Sequence, residues 1–214
     1  IIIITGYKSH KIEYENIKYY HNKYYNSTNM VESFILAQNE FDDDIIVSYS
    51  DIIFQRNVLQ KLIESKHSIS VAVDLSWEKY WEYRYDNIAF DLESLKLRKD
   101  GSIYEIGNPD TNLKNIDGRY IGLIKFRKDV LDKIKFIYGS NRDKFLDKPW
   151  GKSGNIFQQA YFTDLLNKII EEGMDVSSVL INGGWLEFDT NQDYERMAKL
   201  YNNGYLKELI DLEI

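Results

Sequence analysis

Ile45-Ile46-Val47-Ser48-Tyr49-Ser50-Asp51 is the stretch on which the fold turns. Its β-branched opening reads as a buried strand, and Asp51 stands where that strand meets the rim of a sheet. Just upstream, Asn29 and Glu32 resemble a capping pair, and Val31, Phe34, Ile35, Gln38 and Phe41 recur at helical spacing, which predicts a helix over residues 30–40. Downstream, Val58, Leu59 and Leu62 mark the inward face of a helix over 57–65, and Ile69 to Val73 make the next strand. Strands alternating with crossover helices predict an α/β fold, Rossmann-like, with three αβα layers around a mostly parallel mixed sheet.

The flanks extend the same pattern. Ile1 to Ile4 is a short strand, Lys8 to Glu15 is expected to return as a helix, and Ile17 to Tyr20 is a second strand, giving a βαβ unit. The middle third changes character. Ala89 to Tyr104 and Arg119 to Phe126 read as strands, with a turn at Asp100-Gly101, and form a small antiparallel insertion. Further helix is expected over 156–172, strands over 179–182 and 185–188, and a closing helix over 193–201. No repeat or low-complexity linker divides residues 1–214, which read as a single domain.

Composition narrows the function classes. At 214 residues the chain can bury a substantial core. Its 27 Lys and Arg against 34 Asp and Glu leave a net charge of −7, with no basic tract to track a phosphate backbone, so a nucleic acid polymer is not expected as a partner. The absence of cysteine excludes disulfides and thiolate chemistry and fits the cytoplasm. His10, His21 and His67 lack the spacing of a histidine metal site, and no apolar run approaches the roughly 18 residues that span a bilayer. The sequon Asn26-Ser27-Thr28 reads as a turn before a helix.

Asp51 either binds metal or caps the helix that follows. Asp189 lies in W-L-E-F-D-T, an alternating strand that puts Trp185, Glu187 and Asp189 on one face, unless it only belongs to the polar turn of Thr190, Asn191 and Asp193. Two acids brought to the carboxyl ends of strands suit a hard divalent cation that holds a phosphate, and Mg2+ is the candidate cofactor. Trp77, Tyr80, Trp81 and Arg84 fall at i, i+3, i+4 and i+7, one face of a helix. Such a stripe usually packs. The alternative is an aromatic wall facing a cationic ligand group, with Arg84 clamping a phosphate or phosphonate and Asp74 orienting that anchor or capping the segment. Gly151-Lys152-Ser153 resembles the end of a phosphate-binding loop, but Leu146 occupies the place of the required glycine and no apolar strand precedes it. Asp42-Asp43-Asp44 lacks the glycine and terminal glutamate of a calcium loop.

Several segments together resemble the nucleotidyltransferases, which join a nucleoside monophosphate to a phosphorylated sugar or small alcohol. They are I-T-G-Y (Ile4 to Tyr7), S-T-N-M-V-E-S (Ser27 to Ser33), S-Y-S-D (Ser48 to Asp51), A-V-D-L-S-W (Ala72 to Trp77), Y-I-G-L (Tyr120 to Leu123), F-T-D-L-L (Phe162 to Leu166) and G-G-W-L-E-F-D-T (Gly183 to Thr190), in the family's order. W-E-K-Y-W-E-Y-R resembles the branch of cytidylyltransferases that act on phosphocholine, phosphonates and phosphoglutamine. The resemblance implies CMP transfer from CTP to a small phosphorylated or phosphonate acceptor, in service of cell-surface glycan or lipid decoration. It also implies that Asp51 and Asp189 bind magnesium at the catalytic centre, that Thr28 and Asn29 meet the nucleotide, and that Asp74, Trp77, Arg84, Tyr161, Asp164 and Glu187 surround the acceptor. The family's opening strand and glycine-rich triphosphate loop have no counterpart here and would precede Ile1 by roughly 50 residues. Without them, the alternative is a binding domain of the same fold. A sugar-1-phosphate nucleotidylyltransferase using UTP or dTTP is a further alternative, and the exposed aromatic content permits a homodimer.

Overall fold

The computed structural model describes residues 1–109 and 111–211. The chain opens with strands β1 (Ile2–Thr5) and β2 (Lys18–His21), which pair in parallel with Ile2 opposite Lys18. The helix expected between them does not form; only a short 3-10 turn, Ser9–Lys11, is present, and it buries no residue. A segment with no apolar face has nothing to hold a helix against a core, and Lys8 and Asn16 turn the backbone at φ 50° and 60°. Helix α1 (Met30–Leu36) follows and buries Val31, Phe34 and Ile35. Asn29 caps it, accepting from the Met30 amide at 2.8 Å. Glu32 does not close the expected box: it accepts from the Tyr138 hydroxyl at 2.6 Å.

Strand β3 (Ile45–Ser48) is followed directly by β4 (Ile52–Phe54), a strand absent from the sequence expectations. Then come helix α2 (Arg56–Glu64), strand β5 (Ile69–Asp74), buried along its whole length, and helix α3 (Trp77–Arg84). The middle insertion holds β6 (Leu95–Leu97), β7 (Ser102–Ile106) and β8 (Arg119–Phe126). The turn at Asp100-Gly101 falls as expected, with Gly101 at φ 84°, but residues 89–94 do not extend β6. Helix α4 (Lys128–Phe145) is also absent from the sequence expectations, although Val130, Leu131, Ile134, Ile137 and Tyr138 bury one face at helical spacing. The chain closes with α5 (Phe162–Glu171), β9 (Val176–Ile181), β10 (Trp185–Glu187) and α6 (Asn191–Asn202).

Two compact units result. The first joins Ile1–Ile45 to Arg127–Met174, where Phe34 meets Phe162 edge to face at 5.3 Å and α4 packs on α5. The second joins Ile46–Phe126 to Asp175–Ile214. Its six-stranded sheet has the order β3-β8-β5-β9-β7-β6. The α/β class and the mixed sheet agree with expectation, but the sheet is mostly antiparallel where a mostly parallel one was expected, and antiparallel pairing reaches beyond the insertion. Strand β5 runs parallel to β9 and antiparallel to β8, and β7 is antiparallel to both β9 and β6. The cause is β8, which returns from the insertion and wedges beside β5 in the middle of the sheet. Helix α2 packs on β5, β8 and β9, and the core of this unit gathers Val58, Leu62, Trp77, Tyr80, Trp81, Leu123 and Trp185. Among the described residues no helix is long and apolar enough to cross a membrane.

Candidate active site

In the second unit β4 and β10 form an antiparallel pair that sets Glu187 opposite Ile52. One step beyond, the Phe188 amide donates to the Asp51 carbonyl at 2.9 Å, which brings the Asp51 and Asp189 segments together at the strand ends. Partial burial, reinforced by the charge of Asp189, holds the Asp51 carboxyl above its ordinary pKa. The capping alternative for Asp51 is not what forms: Gln55 occupies the N-cap position of α2 without a side-chain hydrogen bond.

Arg84, at the end of α3, is wholly buried among acids. Its Nε donates to Asp193 Oδ1 at 2.9 Å, its Nη1 to Glu187, and its Nη2 to Asp189 Oδ2 at 2.5 Å and Asp193 Oδ2 at 3.3 Å. Burial opposes the guanidinium charge, but the hydrogen bonds with Asp193 and the charge of Glu187 outweigh it and raise the pKa. Burial likewise pushes Glu187 up to about 7, with Arg84 pulling it down and Asp189 pushing it further up. Asp193 is the opposite case: burial would raise it, yet hydrogen bonds from Arg84 and Thr190 draw it below the usual carboxylate range.

The aromatic stripe of α3 is buried, as its packing alternative requires: Trp77 is 2% exposed and Trp81 0%. The cations over its rings belong to the protein itself. The Arg84 guanidinium lies 5.2 Å from the Trp81 ring centre and that of Arg119 lies 4.1 Å away. Tyr80 holds the Glu187 backbone, its hydroxyl donating to Glu187 O at 3.0 Å and accepting from Glu187 N at 2.9 Å. Asp74 is also buried. It accepts from the amides of Ser76 and Gly183, both at 2.8 Å, and from Trp185 Nε1 at 2.9 Å, so it ties β5 to the glycine turn that precedes β10. Gly122 in β8 sits at φ 80°, and a Cβ there would come within 2.6 Å of the Tyr49 ring, two residues before Asp51.

Four of the residues assigned by resemblance belong to the first unit. Thr28 donates to the Tyr24 carbonyl at 2.8 Å, within the turn expected before α1, and Asn29 is the cap of that helix. Tyr161 stands at the N-cap position of α5. Asp164 is fully buried, accepting from Tyr161 N at 3.0 Å, Ser153 N at 2.9 Å and Ser153 Oγ at 2.7 Å. Gly151-Lys152-Ser153 therefore folds on Asp164, after a helix and not after the strand that a phosphate-binding loop needs. Asp44 accepts from the Lys128 amide at 2.9 Å, at the start of α4.

Sequence reasoning missed Asp193 as a partner of Arg84. Its signal was present in Thr190-Asn191-Gln192-Asp193, a capping box in which Asp193 accepts from Thr190 N at 2.8 Å while Thr190 Oγ1 accepts from Asp193 N at 3.1 Å. Asp51 and Asp189 offer hard carboxylate oxygens, the donor type that a divalent cation such as Mg2+ takes. Among the described residues no group of three or more His, Cys, Asp or Glu is arranged to hold a metal ion. Two carboxylates completed by substrate phosphates and water are nonetheless the usual provision for Mg2+.

No protein-family model matches the chain. It is similar to the CTP:phosphoglutamine cytidylyltransferase of Campylobacter jejuni, with 32% identity over 206 residues that take in 91% of this chain and 79% of that enzyme. Among solved structures it superposes on the CTP:phosphocholine cytidylyltransferase from Streptococcus pneumoniae with a TM-score of 0.65 at 18% identity, over 94% of this chain and 78% of that one. It superposes on the inositol-1-phosphate CTP transferase from T. maritima with a TM-score of 0.61 at 16% identity, over 99% and 78% of the two chains. At those identities the structural likeness is one of fold.

Proposed function

The chain belongs to the nucleotidyltransferase family, on its cytidylyltransferase branch, and on that footing we propose that it transfers CMP from CTP to a small phosphorylated or phosphonate acceptor. The observation that carries the chemistry is the β4–β10 pairing, which draws Asp51 and Asp189 together at the strand ends.

An oxygen of the acceptor's phosphate or phosphonate attacks the α-phosphorus of CTP. The new O–P bond forms as the bond from the α-phosphorus to the bridging oxygen breaks, and pyrophosphate leaves with that oxygen. The nucleophile is already an anion, so the protein needs no general base; it must position two anions that repel each other. Asp51 and Asp189 would hold Mg2+, which when bound neutralises charge on the phosphates. Tyr80 fixes the end of β10, from which the chain runs on to Asp189, and the buried aromatic face of α3 packs against Trp185 at the start of that strand. The same reading puts the enzyme in the cytoplasm, where it supplies an activated headgroup for surface glycan or lipid decoration.

The test is pyrophosphate release with Mg2+ across four nucleoside triphosphates and a panel of phosphocholine, aminoethylphosphonate, phosphoglutamine and sugar phosphates. Release with CTP and one small acceptor is the expected result. Release only with UTP or dTTP and a sugar phosphate overturns the base and acceptor assignment, and silence from folded protein overturns the enzyme assignment.

A further inference from the structure

We propose that Arg84, braced by Asp193, is a positioning residue that sets the Asp189 carboxylate beside Asp51 for a divalent cation, a role that rests on the function just proposed. Side-chain exposure rises along the cluster from 0% at Arg84 through 5% at Asp193 and 17% at Glu187 to 45% at Asp189. The cation is at the closed end and the open end is an acid. A guanidinium with no exposed surface, all three nitrogens already donating to carboxylates, has no face left for an acceptor's phosphate. It can act on the site only through the acids it holds.

The bracing starts at the N-terminus of α6. Asp193 Oδ2 accepts from Thr190 N at 2.8 Å and Thr190 Oγ1 at 2.9 Å, while Oδ1 takes Arg84 Nε at 2.9 Å. The planar fork of Arg84, lying over Trp81 and Tyr85 at 5.2 and 5.1 Å, is thus oriented before it reaches Asp189. Its Nη2 pins Asp189 Oδ2. Asp189 Oδ1 takes no hydrogen bond from the described residues, so the carboxylate presents one oxygen in a set direction. Tyr80 fixes the end of β10 at Glu187, two residues before Asp189. One pinned oxygen and one open oxygen next to a second acid make a preset ligand pair, in which the outer partner governs metal affinity.

Arg84→Lys keeps the charge and loses the fork; Asp193→Asn keeps the size of the capping residue and loses the brace. Mn2+ binding to the full chain, followed by electron paramagnetic resonance without nucleotide, reads the effect directly. Each variant, folded by circular dichroism, is expected to bind Mn2+ about 10–100-fold more weakly than the unaltered chain. Activity is expected to return at high Mg2+, with the acceptor KM changed by less than about threefold. Folded variants with unaltered Mn2+ affinity overturn the proposal, most tellingly if the acceptor KM rises instead. Asp193→Asn carries the test alone if Arg84→Lys does not fold. A chain whose Mn2+ affinity shifts as expected but which never consumes CTP keeps the positioning role and loses the proposed reaction.

Discussion

The Phe188 amide donates to the Asp51 carbonyl at 2.9 Å, one step past the Glu187–Ile52 pair, so the register of β4 and β10 alone brings the two rim acids together. β10 ends at Glu187, so Asp189 lies in the bend just past the strand and not on the strand face that the alternating pattern of residues 185–189 suggests.

Asp51→Asn and Asp189→Asn each keep the side-chain shape and remove a charge from the proposed cation site. Turnover of CTP is expected to fall on the order of 10²–10³-fold in each, the loss of several kcal/mol of charge stabilisation. Far-UV circular dichroism is expected to match the unaltered chain. Full turnover by both variants in a pyrophosphate-release assay rules the assignment out.

Glu187, raised to about 7 against an ordinary 4.5, holds a proton in the folded protein that the unfolded chain releases. Between those two values the native state binds more protons, so stability declines as pH rises and then levels above the folded value. The expected loss is on the order of 1–3 kcal/mol. Urea unfolding of metal-free protein between about pH 5 and 8 measures it, and Glu187→Gln is expected to flatten that slope. Parallel slopes in the two proteins would show that Glu187 ionises normally.

Asp74→Asn puts an amide where one carboxylate oxygen meets Trp185 Nε1 and the other meets two backbone amides. Whichever way the amide turns, its NH2 faces a donor. A loss of roughly 2–4 kcal/mol in thermal unfolding is expected, with Trp185 fluorescence altered in the native state. An unchanged melting temperature would mean that the Gly183 turn is held by something else.

Gly122→Ala adds a Cβ at φ 80° and drives it into the Tyr49 ring. Backbone strain and overpacking together are expected to cost about 2–4 kcal/mol, read as a lower urea midpoint with unaltered slope. A midpoint within error of the parent would show that β8 relaxes freely at this position.

Much of the architecture was legible because burial leaves a periodic mark. Val58 and Leu62 in α2 and the unbroken run of β5 carry that mark within a few residues, and the Asp100-Gly101 turn carries its own chemistry. Lys8 to Glu15 misled because a crossover position suggests a helix while its polar side chains offer nothing to bury. Thr28, Asn29, Tyr161 and Asp164 were findable as motif residues, yet their visible bonds serve caps and turns, which short-range spacing also predicts.

By itself the sequence determined the alternation of strands and helices, the aromatic face of α3 and the placing of Asp51 and Asp189 close to strand ends. These follow from local periodicity, since a residue's side of a helix or strand depends only on its near neighbours. Only the tertiary structure decided that Arg84 faces inward to Glu187, Asp189 and Asp193, and that β8 enters the sheet antiparallel to β5. A buried charge takes the partners that the packing of remote segments delivers to it, and no pattern within a few residues of Arg84 names them.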